Sequence, residues 1–228
     1  WYTVPGLSIE DLPEIDLIVI SHNHYDHLDK ITIEELFEKQ SKNPPLIFVP
    51  LKLKKWFVSL GIENVIELDW NESEKFGEWI VHAVPVQHWS SRSPWDRNKT
   101  LWAGWVLETE GFRFFFAGDT GYSKDFEILG KKFGYFDLAA IPIGGYKPRW
   151  FMKSQHVNPE EAVKIHKDIN SRYSVGIHWG TFILTDEPLD EPPKLLRVAA
   201  EKSGLKRNEF FVIKHGETKF LDFLKKSE

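Results

Sequence analysis

The run Asp16-Leu17-Ile18-Val19-Ile20-Ser21-His22-Asn23-His24-Tyr25-Asp26-His27 decides how this chain folds and where its chemistry lies. Its first half is apolar, rich in β-branched residues and bounded by polar ones, which predicts a buried strand over residues 16–21. A polar loop over residues 22–29 follows directly, and three histidines and one aspartate fall within six of its residues. The run therefore predicts a strand that ends in a cluster of side chains able to bind metal.

The spacing of these side chains predicts two metal ions. Alternate residues of an extended chain point the same way, so His22 and His24 can face one ion. Asp26 and His27 follow after the chain turns and can face a second ion. The chain contains no cysteine, and imidazole and carboxylate are the ligands that zinc takes where thiolate is absent. The alternative, a surface loop that is rich in histidine by chance, is disfavoured by the close spacing.

A complete site needs ligands from elsewhere in the chain, and three candidates follow predicted strands. His88 comes after the strand at residues 80–84, Asp119 after residues 113–117, and His178 after residues 174–177. Loops that leave neighbouring strands of one sheet converge in space. Taken alone, each of these residues is more often structural than functional. Taken with the first motif, they are predicted to complete the ligand set.

The composition is that of a globular domain and narrows the class of protein. Hydrophobic residues make up 42% of the 228 residues and charged residues 28%, with a net charge of -5. This balance excludes a disordered chain and disfavours a nucleic-acid-binding surface. The absence of cysteine fits a reducing compartment, and no apolar run approaches the roughly 18 residues that span a bilayer. We expect a single cytoplasmic domain over residues 1–228, without a nucleic-acid partner.

Hydrophobic periodicity predicts a layered α/β fold. Asn158-Pro159-Glu160-Glu161 is a strong helix start, because asparagine caps, proline suits the first helical position and acidic groups favour the helix dipole. Glu110-Gly111 predicts a hairpin turn. Strands first come as antiparallel neighbours and later alternate with helices, which favours sheets inside and helices outside. Strands are predicted at residues 46–49, 65–68, 80–84, 102–108, 113–117, 137–141, 174–177 and 210–213, and helices at 32–40, 51–60, 123–132, 158–169 and 193–203.

The order His-x-His-x-Asp-His, then a distant His, Asp and His, resembles that of the metallo-β-lactamase superfamily. Longer blocks are similar to those of one branch, the N-acyl-phosphatidylethanolamine-hydrolysing phospholipases D, over nearly the whole chain. The blocks are SHNHYDHLD (21–29), FFFAGDTGY (114–122), FDLAAIPIG (136–144), PRWFMK (148–153) with QHV (155–157), and IHWGTF (177–182). The resemblance implies an α/β fold of the four-layer αβ/βα sandwich type, the metallo-β-lactamase fold.

The resemblance also implies how the ligands are divided. His22, His24 and His88 would hold one Zn²⁺, Asp26, His27 and His178 the other, and Asp119 would bridge them. Mn²⁺ and Fe²⁺ are alternatives. Most true β-lactamases lack the bridging aspartate, which argues against β-lactam hydrolysis. Flavo-diiron relatives carry glutamate at the position of His24, which argues against a redox di-iron role.

The implied reaction is hydrolysis of a phosphodiester in a phospholipid, giving phosphatidic acid and an N-acylethanolamine. Two cations would activate a water molecule, so no serine or cysteine nucleophile is needed. Asp26 would orient this water or take its proton, and Gln155 and His156 would contact the phosphate. A polar loop before the capped helix is the plain alternative for the last two. Another hydrolase of the superfamily, such as a lactonase or a small-molecule phosphodiesterase, and a non-catalytic metal-binding module are the competing readings of the whole chain.

Several further residues carry weaker expectations. His215 matches a family block and is placed beside the ligands, Tyr25 is assigned either to the site or to packing, and His82 and His166 are read as structural. The aromatic and basic run at residues 147–153 is of a kind found at lipid–water interfaces, so contact with a membrane surface is an open alternative. A homodimer is also left open.

The sequence begins at Trp1, not at methionine. The related family has a further segment, with the first strands of the fold, before the matching position. We therefore expect that the N-terminal strands of the fold are missing from this chain.

Overall fold

A computed structural model describes residues 3–223 and places their strands in two sheets. The smaller sheet has the order β1-β2-β3, formed by Leu17–Val19, Leu46–Pro50 and Val65–Leu68. Both of its strand pairs are parallel. Parallel neighbours need a crossover, and α1 (Lys30–Lys39) and α2 (Lys54–Val58) lie in the two connections. The expectation of antiparallel neighbours at the start of the chain was therefore wrong.

The larger sheet has seven strands in the order β10-β9-β8-β7-β6-β5-β4. Strands β4 to β7 are joined as antiparallel neighbours, while β7, β8, β9 and β10 pair in parallel. Consequently β5, β7, β8 and β9 all run in the same direction and end at the same edge. The strands are β4 Ser73–Phe76, β5 Trp79–Val84, β6 Gly104–Thr109, β7 Phe112–Phe116, β8 Phe136–Pro142, β9 Ser171–Ile177 and β10 Phe210–Phe211.

Four layers result from the way apolar side chains are buried. Helices α1 and α2 cover the outer face of the small sheet, with Ile33 and Phe57 in that core. The two sheets face each other across a second core that contains Phe48 and Trp105. Helices on the far side cover the large sheet and bury Phe126 and Leu196 among others. These helices are α3 Asp125–Phe133, α5 Pro159–Asp168 and α6 Glu191–Lys202, whereas the short α4, Arg149–Met152, has no buried residue.

The end of β1 is fastened to the large sheet. The indole Nε1 of Trp105 donates a hydrogen bond to the carbonyl oxygen of Ile20 at 2.9 Å. The backbone N–H of Ala103 donates to the carbonyl oxygen of Ser21, also at 2.9 Å. Because both bonds are buried, leaving either partner unpaired would cost about 1–3 kcal/mol. The histidine-rich loop thus begins where two hydrogen bonds join the small sheet to the large sheet.

Most predicted elements are present, and the differences have local causes. The predicted N-cap at Asn158 is formed, with the side chain accepting from the N–H of Glu161, and the structure adds the reciprocal bond of a capping box. Strand β4 was not predicted, because its sequence Ser-Glu-Lys-Phe is largely exposed at the sheet edge. The four-residue helix α4 was also missed. The helix predicted at residues 51–60 is shorter, since α2 covers Lys54–Val58 only.

No helix within residues 3–223 is long and apolar enough to cross a membrane. Trp1, on which the expectation of missing N-terminal strands was based, lies outside the described residues.

A glycine in the left-handed region links the large sheet to the histidine loop. Gly118 has φ +60°, and a Cβ added there would overlap the Cβ of Ser21 and lie 3.0 Å from its Oγ. Gly77, with φ +58°, has no atom within 4 Å of the same position. Gly118→Ala should therefore cost about 1–3 kcal/mol for overpacking, beyond the left-handed strain of about 1–2 kcal/mol that Gly77→Ala also bears. Urea unfolding of both variants measures this difference, and equal losses of stability would contradict it.

Candidate metal centre

The histidine motif turns after His24, as its spacing predicted. Residues 20–24 carry no helix or strand, and the backbone N–H groups of His27 and Leu28 then donate to the carbonyl oxygen of His24, at 3.1 and 2.9 Å. The turn is completed where the Asp29 side chain caps α1 by accepting from the N–H of Thr32. The first and second halves of the motif therefore face different parts of the site.

Three imidazoles form the first ligand cluster, consisting of His22, His24 and His88. The Nδ1 of His24 lies 2.8 Å from the Nε2 of His22 and 3.4 Å from the Nε2 of His88. The outer nitrogens are oriented by the protein. The Nδ1 of His22 lies 3.0 Å from the Ser21 hydroxyl, and the Nδ1 of His88 donates to the carbonyl oxygen of Gln155 at 3.0 Å. Such outer partners fix the ring orientation of metal-binding histidines.

The second cluster joins Asp26, His27, Asp119 and His178. The Asp119 Oδ2 lies 3.0 Å from the Nε2 of His27 and 3.2 Å from the Nε2 of His178. The Asp26 Oδ2 is 3.3 and 3.6 Å from the same two nitrogens. His178 has φ +57°, a strained conformation for a residue with a Cβ, and such strain is concentrated at functional sites.

Asp119 lies between the two clusters. Its Oδ2 is also 3.8 Å from the Nε2 of His88 and 3.9 Å from the Nδ1 of His156. Burial would raise the pKa of this carboxyl group, but the His178 and His27 rings outweigh it and hold the pKa well below its usual value. Burial likewise opposes the charged form of His27, yet Asp119 and Asp26 raise the pKa of His27 to about 10. These shifts favour the ionised form of Asp119 and the protonated form of His27.

The donor set fits divalent cations. Burial lowers the pKa of His88 to about 3 and that of His22 well below its ordinary value. A carbonyl oxygen only accepts, so His88 carries its proton on Nδ1 and presents an unprotonated Nε2 to the cluster. This unprotonated Nε2 of His88 lies 3.8 Å from the Asp119 Oδ2, so two acceptors face each other, which is unfavourable unless a cation lies beside them. The Nε2 of His24 and the Oδ1 of Asp119 are also buried without a hydrogen-bond partner.

Gln155 and His156 are placed differently from one another. Gln155 is tied to the centre through its main chain, by the carbonyl oxygen that accepts from His88. The ring of His156 is buried and stacks on His178, with 5.4 Å between ring centroids. Its Nδ1 is buried and has no hydrogen-bond partner. His156 therefore borders the centre directly, whereas Gln155 contacts it through its backbone, and the expected contact of Gln155 with the phosphate stays a prediction.

The four residues with weaker expectations, Tyr25, His82, His166 and His215, have different surroundings in the structure. Tyr25 is 66% exposed and stacks on the Arg92 guanidinium, so the packing alternative applies to it. His82 lies 3.2 Å from Glu108 and His166 lies 2.8 Å from the Ser174 hydroxyl, and both fit the structural interpretation. His215 packs beside Trp179, the neighbour of His178, at 5.5 Å between ring centroids.

Glu187 is a site residue that the sequence analysis missed. Its buried carboxylate accepts hydrogen bonds from the backbone N–H groups of Gly145, Tyr146 and Lys147. A Cβ added at Gly145 would lie 3.1 Å from the His156 ring and 3.3 Å from that of His178. Glu187 thus supports the backbone on which both rings rest. A single glutamate in a loop carries no sequence pattern that would have revealed this.

A cavity of about 700 Å³ opens beside the second cluster. Asp26, His27 and His178 form part of its lining. Apolar side chains form much of the remainder, namely Leu7, Phe116, Ile177, Trp179, Phe182, Leu184, Leu189 and Ile213. A volume of this size suits a small organic ligand or part of a larger one.

Two relatives show extensive sequence similarity. The chain is 44% identical over 229 residues to "N-acyl-phosphatidylethanolamine-hydrolyzing phospholipase D 1" of Caenorhabditis elegans, covering 95% of this chain and 64% of the relative. It is 43% identical over 206 residues to "N-acyl-phosphatidylethanolamine-hydrolyzing phospholipase D, mitochondrial" of Saccharomyces cerevisiae, covering 87% and 43%. The chain thus spans less than two thirds of the length of either relative.

Structural comparison and the family model agree on the fold. Igni18, a metallo hydrolase from the hyperthermophilic archaeon Ignicoccus hospitalis KIN4/I, has a TM-score of 0.71 and 21% identity, covering 94% of this chain and 85% of that one. Similarity at this level of identity supports the fold alone. Residues 2–179 match the model described as "Beta-lactamase superfamily domain". The chain therefore belongs to the β-lactamase superfamily and has the metallo-β-lactamase fold.

Proposed function

We propose that this protein is a di-metal phosphodiesterase that hydrolyses N-acyl-phosphatidylethanolamine-like phospholipids to phosphatidic acid and an N-acylethanolamine. The observation that carries the proposal is that seven side chains able to ligate metal, Asp119 among them, gather in two adjoining clusters. Three of them, Asp26, His27 and His178, line a largely apolar cavity. The phospholipase D names of the two relatives support this substrate class.

The cofactor in this proposal is a pair of Zn²⁺ ions, with His22, His24 and His88 on one, Asp26, His27 and His178 on the other, and Asp119 shared. The set contains only nitrogen and oxygen donors, which also admit Mn²⁺ or Fe²⁺. When bound, two such cations lower the pKa of water towards about 7 and polarise a phosphoryl oxygen.

The two carboxylates are suited to different tasks. The Asp119 side chain is only 3% exposed and is surrounded by imidazoles, so it can hold cations but cannot reach a substrate. The Asp26 side chain is 24% exposed and lines the cavity. Asp26 is therefore the group that can orient the attacking water and accept its proton, as well as ligate.

His156 acts as a neutral hydrogen-bond donor in this proposal. Burial lowers the pKa of His156 to about 4, and nearby cations would lower it further. The ring is thus neutral near pH 7 and polarises the phosphate or the leaving oxygen through an N–H group. The proton that Asp26 accepts from the attacking water would pass to the leaving oxygen, which gives the alcohol product. Gln155 would contribute by holding His88 and, in the sequence-based hypothesis, by contacting the phosphate.

Contact with a membrane surface remains a prediction for residues 147–153. Trp150 and Phe151 are 86% and 56% exposed, and Arg149 and Lys153 flank them in the sequence. Exposed aromatic and basic side chains are suited to the lipid–water interface. Co-sedimentation with phospholipid vesicles that is unchanged in Trp150→Ala would reject this contact.

The shared carboxylate can be tested against a matched control. Asp119→Asn removes the charge that both cations need, so zinc content should fall below about two ions per chain. The Zn²⁺ affinity should fall by more than the roughly 10–100-fold that is lost when a residue hydrogen-bonded to a metal ligand is removed. Asp137 is also buried, but it accepts from the backbone N–H of Arg113 at the opposite end of the sheet. Elemental analysis should find about two ions in Asp137→Asn. Full zinc content in Asp119→Asn would show that the carboxylate does not bridge.

The bond that is cleaved can be identified with ¹⁸O-labelled water. Attack at phosphorus places the label in phosphatidic acid and leaves the N-acylethanolamine unlabelled, as mass spectrometry of both products would show. Label in a free fatty acid would instead indicate hydrolysis of a carboxylic ester. In that case the phosphodiesterase proposal fails and the lactonase or esterase alternative is favoured.

The role of His156 separates catalysis from metal binding. His156→Ala should keep about two zinc ions and lose about 10²–10³-fold in turnover, as expected for one donor to developing charge. His82→Ala, which removes a partly buried histidine that contacts Glu108 far from the centre, should leave turnover unchanged. Loss of zinc from His156→Ala would make His156 a ligand and would contradict the donor role. Its ring nitrogen lies within 4.8 Å of ligand atoms of His88 and Asp119, so this outcome is geometrically open to it.

A further inference from the structure

A lobe formed by residues 89–99 begins directly after the ligand His88. The lobe is closed on itself, because the N–H of Asn98 donates to the Ser90 carbonyl oxygen at 2.8 Å. The Ser90 hydroxyl donates to the Thr100 carbonyl oxygen at 2.6 Å. Asp96 accepts hydrogen bonds from the backbone N–H groups of Arg92 and Ser93. The backbone of the lobe is therefore well defined, and with it the position of Arg92.

The side chain of Arg92 reaches from this lobe to the histidine loop. Its Nη1 donates to the carbonyl oxygens of Asn23 and Leu28, at 2.9 and 2.8 Å. Asn23 and Leu28 are both buried, and they lie on either side of the turn that carries Asp26 and His27. One guanidinium nitrogen thus connects the two ends of the ligand loop.

Aromatic contacts fix the orientation of the guanidinium. Its carbon lies 4.0 Å from the centroid of the Tyr25 ring and 5.1 Å from that of Trp56. The Tyr25 hydroxyl in turn donates to the carbonyl oxygen of Arg92 at 3.1 Å. A planar guanidinium can stack and donate at the same time, which an ammonium group cannot match. The contact is therefore specific to arginine and reciprocal between lobe and loop.

The loop supplies two ligands to one proposed ion, and the residue just before the lobe supplies the third. His22 and His24 belong to the loop, whereas His88 is the residue from which the lobe departs. We propose that Arg92 is a positioning residue that latches the lobe to the loop and so sets the separation of His24 from His88. The inference rests on the proposed metal centre but does not depend on the substrate.

Charge alone predicts that loss of Arg92 strengthens metal binding, whereas loss of a positioning residue weakens it. A cation close to a metal site opposes metal binding, so removing the Arg92 charge without any latch should tighten binding. Arg97 provides the matched case, since it lies in the same lobe and stacks on Trp89 at 4.2 Å. Trp89 packs against His24, but none of the hydrogen bonds found within residues 3–223 joins Arg97 to the histidine loop.

The test is the Zn²⁺ affinity of purified variants, measured by competition with a chromophoric chelator. Arg92→Met should weaken binding by about 10–100-fold, the range for partners that orient metal ligands. Arg92→Lys should be intermediate, and Arg97→Met should bind as the wild type does or slightly more tightly. Absorption spectra of the Co²⁺-substituted proteins should change for Arg92→Met only, because they report ligand geometry, which a general loss of stability would not alter.

Wild-type or tighter Zn²⁺ binding by folded Arg92→Met would overturn the proposal. If Arg92→Met does not fold, as judged by circular dichroism, Arg92→Lys decides: weaker binding supports the latch and wild-type affinity rejects it. Failure of the wild type itself to bind Zn²⁺ would instead contradict the proposed function, so the two failures are distinguishable.

Discussion

A carboxylate that water barely reaches, that of Asp119, governs the arrangement of the site. Its side chain is 3% exposed, and the nearest ring nitrogens, those of His27 and His178, lie at 3.0 and 3.2 Å. A buried charge without partners would cost several kcal/mol, so positive groups must surround it. The neighbouring imidazoles of His27 and His178 can supply positive charge, and divalent cations would supply it in the proposed metal centre.

The fold supplies these groups by ending several strands at one edge. Strands β5, β7 and β9 run in the same direction, and His88, Asp119 and His178 follow their carboxyl ends. The other ligands follow β1 of the small sheet. The end of β1 is hydrogen-bonded to the Trp105 indole and the Ala103 N–H on the side of the large sheet. A centre between two sheets needs such a connection, because each sheet alone carries only part of the ligand set.

The part of this site that depends on local sequence could be predicted, and the part that depends on long-range packing could not. The His22–His27 spacing and the polar residues after strands were sufficient to predict the seven candidate ligands, which the structure brings together. Arg92 and Glu187 act through backbone atoms far away in sequence, and no spacing rule marks them. For the same reason the main-chain contact of Gln155 with His88 could not be foreseen. The parallel pairing of the first three strands was missed because periodicity predicts a strand without its partner.

The shared use of Asp119 by two ions can be tested most directly by anomalous diffraction. Crystals grown with Zn²⁺ should give two anomalous peaks at the zinc absorption edge, about 3.5–4 Å apart. Each peak should lie beside one oxygen of Asp119, one with His22, His24 and His88 and the other with Asp26, His27 and His178. A single peak in this centre, or two peaks that do not share the Asp119 carboxylate, would contradict the account.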